Sequence, residues 1–294
     1  MSDAAITPDP SPDATIQHEV AIRLSARVWR ITAGNAGPMT GPGTNSYLVG
    51  AGEHWAVIDP GPANMQHIQT LVAAAPGPIR NILVTHTHPD HSPGASPLKS
   101  ATGAPLLGQT TPHPQWQDAT FTPDRELRDN DRVTVAPDVT LRVIHTPGHA
   151  SNHLCYLLEE EHILFTGDHI IQGSTVVINP PDGDMAAYIR SLESLLHEPV
   201  AQLAPGHGTL IPRPRTAIQG LIKHRLRREA KVLAVLPRQT PADLPTLVQR
   251  AYDDVPRQLH PLAERSLLAH LLKLEAEGRA LRVADSWLAP KVAT

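Results

Sequence analysis

The feature that most constrains this chain is the run HTHPDH at residues 86–91, which directly follows the apolar run NILVT. Residues two apart in an extended segment point the same way, so His86 and His88 can hold one metal ion. Asp90 and His91 lie beyond the bend and can face a second ion. Imidazole and carboxylate ligands together favour zinc, with manganese or iron as alternatives. A chance cluster in a chain with 17 histidines is the competing interpretation.

Three later segments place the same residue types in similar surroundings. Each closes a strand-like run: IHTPGH ends at His149, FTGDH contains Asp168, and LAPGHG contains His207. Any one of these residues alone is typical of a turn. Taken in series with residues 86–91, they favour metal ligands over chance turn residues.

The order of apolar runs predicts an α+β layered core followed by a helical appendage. Short runs rich in Val, Ile, Leu and Thr recur from residue 28 onward and are typical of strands. Helical periodicity appears at residues 65–75 and 184–196, where Asp184 can cap the helix. After Pro212 come a long helix, two further helices and a short strand, which suggest a winged-helix-like domain. We therefore predict a disordered tail over 1–19, a catalytic domain over 20–212 and a small C-terminal helical domain over 213–294.

The composition indicates the cellular environment of the protein more than its biochemical function. The net charge of −4 gives no whole-chain sign of a nucleic-acid partner. The single cysteine, Cys155, cannot form an internal disulfide, which favours the cytoplasm. No run approaches the roughly 20 apolar residues of a membrane-spanning helix. The oligomeric state is left open.

The motif order resembles the metallo-beta-lactamase superfamily, and the resemblance implies roles for particular residues. His86, His88 and His149 would hold the first metal, Asp90, His91 and His207 the second, and Asp168 would bridge them. Asp59, in VIDPG, would support the ligands without binding a metal. The implied fold is a four-layer αββα sandwich. The loop GPGTNSYLVG and the C-terminal segment are most similar to the beta-lactamase-like protein 2 group, which carries a winged-helix-like piece.

The resemblance implies a hydrolase with two Zn²⁺ per chain, in which Asp90 and Asp168 orient or bridge a metal-bound hydroxide. Two substrate classes stay side by side: a small thioester or other acyl compound, and single-stranded RNA. A lactonase, another ester hydrolase and a non-catalytic metal-binding module are the alternatives.

Several residues are candidates for substrate contact. The RNA hypothesis depends on one helix face that carries Arg227, Arg228 and Lys231, for which a solvated surface is the alternative. An aromatic content of 3% weakens that hypothesis. Asn45 and Tyr47 are candidate contacts in the GPGTNSY loop, with a core or rim position as the alternative. The Pro-rich loop around His113 and Trp116 is interpreted as a substrate flap or an ordinary insertion.

Overall fold

The computed structural model describes residues 16–290, which form two compact units. We call them the sheet unit, made of residues 16–146, 152–176 and 198–214, and the helical unit, made of residues 147–151, 177–197 and 215–290. Because the two units are interleaved along the chain, the division between residues 212 and 213 stays a prediction.

The first sheet of the sheet unit has seven strands in sequence order. They are β1 Ala21–Arg23, β2 Val28–Thr32, β3 Asn45–Ala51, β4 His54–Ile58, β5 Ile79–Leu83, β6 Leu106–Gly108 and β7 Arg125–Glu126. Strands β1 to β4 pair antiparallel, whereas β4, β5, β6 and β7 pair parallel. Helices α1 (Met65–Ala74) and α2 (Ala95–Thr102) form the crossovers that parallel pairing requires.

The second sheet has five strands in the order β12-β11-β10-β9-β8. They are β8 Arg132–Ala136, β9 Val139–His145, β10 Leu154–Leu158, β11 Ile163–Gly167 and β12 Gln202–Pro205. Only β11 and β12 pair parallel in this sheet; the other neighbours are antiparallel.

The core of the sheet unit follows from the two-residue period of its strands. In β3 and β4, Tyr47, Val49 and Ile58 belong to the apolar layer between the two sheets, with Tyr156 and Phe165 of the second sheet. The alternate residues of the first sheet belong to another apolar layer that includes α1 and α2. This layer contains Leu48, Val57, Ile82, Ile68, Leu71 and Leu98. The sheet unit therefore stacks helices, sheet and sheet.

The helical unit contains four α-helices and a small sheet. The helices are α3 Met185–Leu195, α4 Pro214–Val235, α5 Leu244–Ala251 and α6 His260–Ala276, with a short 3-10 helix at Arg257–Leu259. Strands β13 Ala242–Asp243, β14 Leu281–Val283 and β15 Ser286–Leu288 pair in the order β13-β15-β14. The predicted cap of α3 is confirmed, because the Asp184 side chain accepts from the Ala187 N–H.

The disordered tail over residues 1–19 stays a prediction, and its inner end, residues 16–19, pairs with the first sheet. His18 bridges Thr32, and the Glu19 N–H donates to the Thr32 carbonyl. Residues 1–15 lie outside the described residues. Between residues 16 and 290, no helix combines the length and apolar character needed to cross a bilayer.

Candidate metal centre

Two parallel strand pairs deliver the candidate ligands to one place. Parallel neighbours end at the same edge of a sheet, and β4 and β5 of the first sheet are followed by Asp59 and by residues 86–91. In the second sheet, β11 and β12 are parallel and are followed by Asp168 and His207. The apolar strands therefore end in polar residues at the edge where their loops meet.

The structure brings four of the predicted ligands together inside the sheet unit. One side-chain atom from each of Asp90, His91, Asp168 and His207 lies within 4.8 Å of the others. Nε2 of His207 lies 3.2 Å from Asp90 Oδ2 and 3.2 Å from Asp168 Oδ1. Nε2 of His91 lies 3.5 Å and 3.4 Å from the same two oxygens. This is a mixed imidazole and carboxylate set of the kind that binds zinc.

The charges of this cluster fit a cation at its centre. Burial alone lowers the pKa of His207, but the carboxylates of Asp168 and Asp90 outweigh it and raise that pKa to about 10. Asp90 and Asp168 also raise the pKa of buried His91 well above its usual value. Nε2 of both histidines is buried and has no hydrogen-bond partner among residues 16–290. Buried carboxylates that draw protons onto neighbouring histidines create a site where a metal ion can take the place of those protons.

Each histidine of the cluster is fixed through its other ring nitrogen. His91 Nδ1 donates to Asp59 Oδ2 over 2.9 Å, and His207 Nδ1 donates to the Gly43 carbonyl over 3.0 Å. Asp59 is itself held by Thr85, whose N–H and hydroxyl donate to its two oxygens over 2.7 Å. Such hydrogen bonds set the tautomer and the ring orientation of a ligating imidazole. Asp59 therefore contacts a predicted ligand, and its supporting role stays a prediction.

The other predicted ligands divide between the two units. His86 and His88 are in the sheet unit, where Nε2 of the first and Nδ1 of the second lie 2.9 Å apart. Nδ1 of His86 lies 3.1 Å from the Thr85 hydroxyl. His149 is in the helical unit, and its Nδ1 donates to the Val177 carbonyl over 2.8 Å.

Asn45 and Tyr47 are buried and hold the loop that carries His207. The Asn45 amide donates to the carbonyls of Pro205 and Gly208 over 2.9 Å and 2.8 Å. The Tyr47 hydroxyl donates to the same Pro205 carbonyl over 2.8 Å. Their role as substrate contacts stays a prediction, because these hydrogen bonds hold the His207 loop.

Sequence reasoning missed two residues that shape this centre. His153 is fully buried, and its Nε2 accepts from the Asp168 N–H over 3.2 Å. A Cβ at Gly206 would lie 2.8 Å from His91 Cε1 and 2.9 Å from Asp168 Oδ1, so only glycine fits there. Gly206 could have been suspected from the repeated Pro-Gly-His pattern, whereas a lone histidine beside an apolar strand gives no signal.

The predicted basic face of α4 is largely neutralised. Arg228 is buried, donates to both oxygens of Asp254, and lies over the ring of Tyr252. Lys231 pairs with Asp253 and Asp254. Arg227 is exposed. The face offers one exposed guanidinium where the sequence predicted three cations for phosphate.

A family model described as the metallo-beta-lactamase superfamily matches residues 39–207, more than half of the chain. The chain belongs to this superfamily. A second model, the beta-lactamase associated winged helix domain, matches residues 244–287 and confirms the predicted winged-helix-like segment. The α+β fold class predicted from the sequence is confirmed as well.

Named relatives extend the match to most of the chain. A beta-lactamase-like protein 2 homolog of Drosophila melanogaster is 34% identical over 90% of this chain and 92% of its own length. An atrochrysone carboxyl ACP thioesterase of Aspergillus chevalieri is 36% identical over 73% of this chain and 67% of its own length. The crystal structure of a beta-lactamase domain protein from Burkholderia ambifaria superposes with a TM-score of 0.80 at 20% identity, over 95% of this chain and 96% of that one, and shows the fold alone.

Proposed function

We propose that this protein is a two-metal hydrolase that acts on thioesters or closely related acyl compounds. His86, His88 and His149 would hold one ion, Asp90, His91 and His207 the other, and Asp168 would be shared. Zinc is the proposed metal, with manganese or iron as alternatives. The observation that carries the proposal is the buried cluster in which two histidine Nε2 atoms face the oxygens of Asp90 and Asp168.

Bound zinc would lower the pKa of a water molecule to near 7 and would stabilise negative charge on the substrate oxygen. The residues of the chain orient the proposed ligands. Asp59 keeps Nδ1 of His91 protonated, which leaves Nε2 available as a ligand. The Gly43 carbonyl does the same for His207. His153 fixes the backbone at Asp168, and Gly206 admits the His207 loop beside it.

The charges on α4 favour the acyl substrate over RNA. Binding single-stranded RNA requires several cations to neutralise phosphates. Arg228 and Lys231 are already paired with Asp253 and Asp254. A small acyl substrate needs no such run of cations. The thioesterase among the relatives gives independent support for this choice.

The proposal is tested by loading the purified full-length chain with zinc and measuring metal content, thioester hydrolysis and cleavage of a short single-stranded RNA in parallel. We expect about two zinc ions per chain, because seven ligands exceed the needs of one tetrahedral ion. Asp168→Asn keeps the shape of the side chain but removes its charge, and it should weaken the second ion and lower turnover by orders of magnitude. One zinc ion per chain would refute the two-metal site, and RNA cleavage without thioester hydrolysis would refute the substrate class.

A further inference from the structure

Thr87 attaches the loop at residues 109–120 to the segment that carries the predicted ligands His86 and His88. Thr87 lies between His86 and His88 and is buried. Its hydroxyl donates to Gln117 Oε1 over 2.5 Å, and its carbonyl accepts from the Asp118 N–H over 2.6 Å. This contact fixes one end of the loop beside the predicted ligands.

Asn152 fixes the other end of the same loop. Its side-chain amide donates to the Gln109 carbonyl over 3.0 Å and to the Thr87 hydroxyl over 2.8 Å. Asp118 adds a further contact, because its carboxylate accepts from the Ser92 hydroxyl over 2.7 Å. Both ends of the loop are therefore held at the segment that carries His86 and His88, and the intervening tip remains at the surface.

Trp116 lies at the tip of this loop and has an unusual backbone conformation and an exposed side chain. Its φ of +75° lies in the left-handed region that a bulky residue rarely adopts, and 62% of its surface is exposed. Such backbone strain is concentrated at ligand-binding positions. The hydrogen bonds of Gln117 and Asp118 to Thr87 hold the backbone directly after it.

A second exposed apolar side chain lies on the loop that is hydrogen-bonded to the predicted ligand His207. Met39 is 56% exposed and lies in the loop that leads to Gly43, whose carbonyl accepts from His207. We propose that Trp116 and Met39 form an apolar rim that binds the hydrocarbon part of the acyl group, with Trp116 as the main determinant of specificity. This inference rests on the proposed acyl hydrolysis and names its preferred substrates as thioesters with long or aromatic acyl chains.

The binding test uses ketone analogues of octanoyl- and acetyl-N-acetylcysteamine, in which a methylene group replaces the thioester sulphur and prevents hydrolysis. Each methylene that becomes buried should tighten binding about fourfold. With two or three methylenes buried, the zinc-loaded wild type should bind the octanoyl analogue roughly 15- to 60-fold more tightly than the acetyl analogue. Trp116 is far more exposed than Trp55 or Trp287, so its fluorescence should change only with the octanoyl analogue.

The decisive variant is Trp116→Asn, because asparagine tolerates a left-handed backbone and the change removes only the indole. Binding of the octanoyl analogue should weaken roughly tenfold, with the acetyl analogue unchanged, whereas Trp116→Phe should lose less than about threefold. Met39→Ala should weaken octanoyl binding about fourfold. Val72→Ala, at an exposed apolar position on α1, is the matched control and should change neither affinity.

Hydrolysis gives a second measurement on the same variants. KM for octanoyl thioesters should rise in Trp116→Asn, with kcat unchanged and acetyl thioester kinetics unaffected. Equal losses for both chain lengths, or no loss for either, would overturn the rim. If the analogues bind as expected but no thioester is hydrolysed, the proposed function fails and the apolar rim stands. Loss of RNA affinity alone in Trp116→Asn would instead assign the indole to base stacking and refute the acyl role.

Discussion

Replacing His270 with leucine should remove a pH dependence from the stability of the helical unit. His270 lies in α6 and is fully buried, and neither ring nitrogen has a hydrogen-bond partner among residues 16–290. Burial, followed by the charges of Arg225, Lys273 and Arg228, lowers its pKa to about 3, and His224 adds to the same effect. The folded protein therefore keeps this imidazole neutral over the physiological range.

The size of the effect follows from linkage. The unfolded chain binds a proton at this histidine as the pH falls through about 6.5, whereas the folded chain does not until about 3. Because the unfolded state binds more protons in this window, the free energy of unfolding falls as the pH is lowered. Between pH 7 and pH 5 the contribution of His270 amounts to about 2 kcal/mol. From pH 7 to pH 5, the free energy of unfolding of His270→Leu should therefore rise by about 2 kcal/mol relative to that of the wild type.

The assay is urea unfolding of the full chain at pH 7 and pH 5, followed by the fluorescence of Trp287. That indole is buried in the same apolar cluster as Leu267 and Leu271, which flank His270 on α6. His270→Gln, which cannot titrate but keeps a buried polar group, should show the same reduced pH response as His270→Leu, at lower stability. A wild-type-to-leucine difference that is equal at the two pH values would refute the reasoning.

Three substitutions test which residues hold the ligands of the metal centre in place. Asp59→Asn should weaken zinc binding roughly 10- to 100-fold in a chelator competition, because His91 loses its charged acceptor; unchanged affinity would contradict this. Asn45→Ala removes the donor to the Gly208 carbonyl and the acceptor of the buried Thr32 hydroxyl, while the Pro205 carbonyl keeps Tyr47. It should lower the free energy of unfolding by about 2 kcal/mol or more in urea titrations; a change below about 0.5 kcal/mol would count against it. Gly206→Ala should abolish zinc binding while the circular dichroism spectrum stays native, and full zinc content would disprove the predicted clash.

The sequence was most informative where local pattern and chemistry coincide. Apolar runs ended where strands end, and the Asp184 cap and the residues of the 86–91 motif could be predicted because each depends on neighbours a few positions away. The family resemblance predicted that Asp90, Asp168 and His207 lie together at one site. In the structure this arrangement depends on the two parallel strand pairs, which a single sequence does not specify.

The misses have one physical cause, which is pairing over long sequence separations. The basic face of α4 was judged from helical spacing, but Asp254, which lies 26 residues after Arg228, decides where that guanidinium lies. The substrate contact of Asn45 stays a prediction, but its hydrogen bonds to Pro205 and Gly208, which span about 160 residues, were not anticipated. No periodicity or local motif carries information about such partners.

The position of Thr87 separates two functions of one segment, which are to hold the loop at residues 109–120 and to place the predicted ligands His86 and His88. Along an extended segment its side chain points opposite to those of His86 and His88, and it is Thr87 that holds Gln117 and Asn152. The tip at residues 111–116 can therefore change in length and composition while the anchors and the ligands keep their places. Exchanging only these six residues between relatives should transfer substrate preference and leave zinc affinity unaltered, which would make this tip a replaceable part of an otherwise fixed protein.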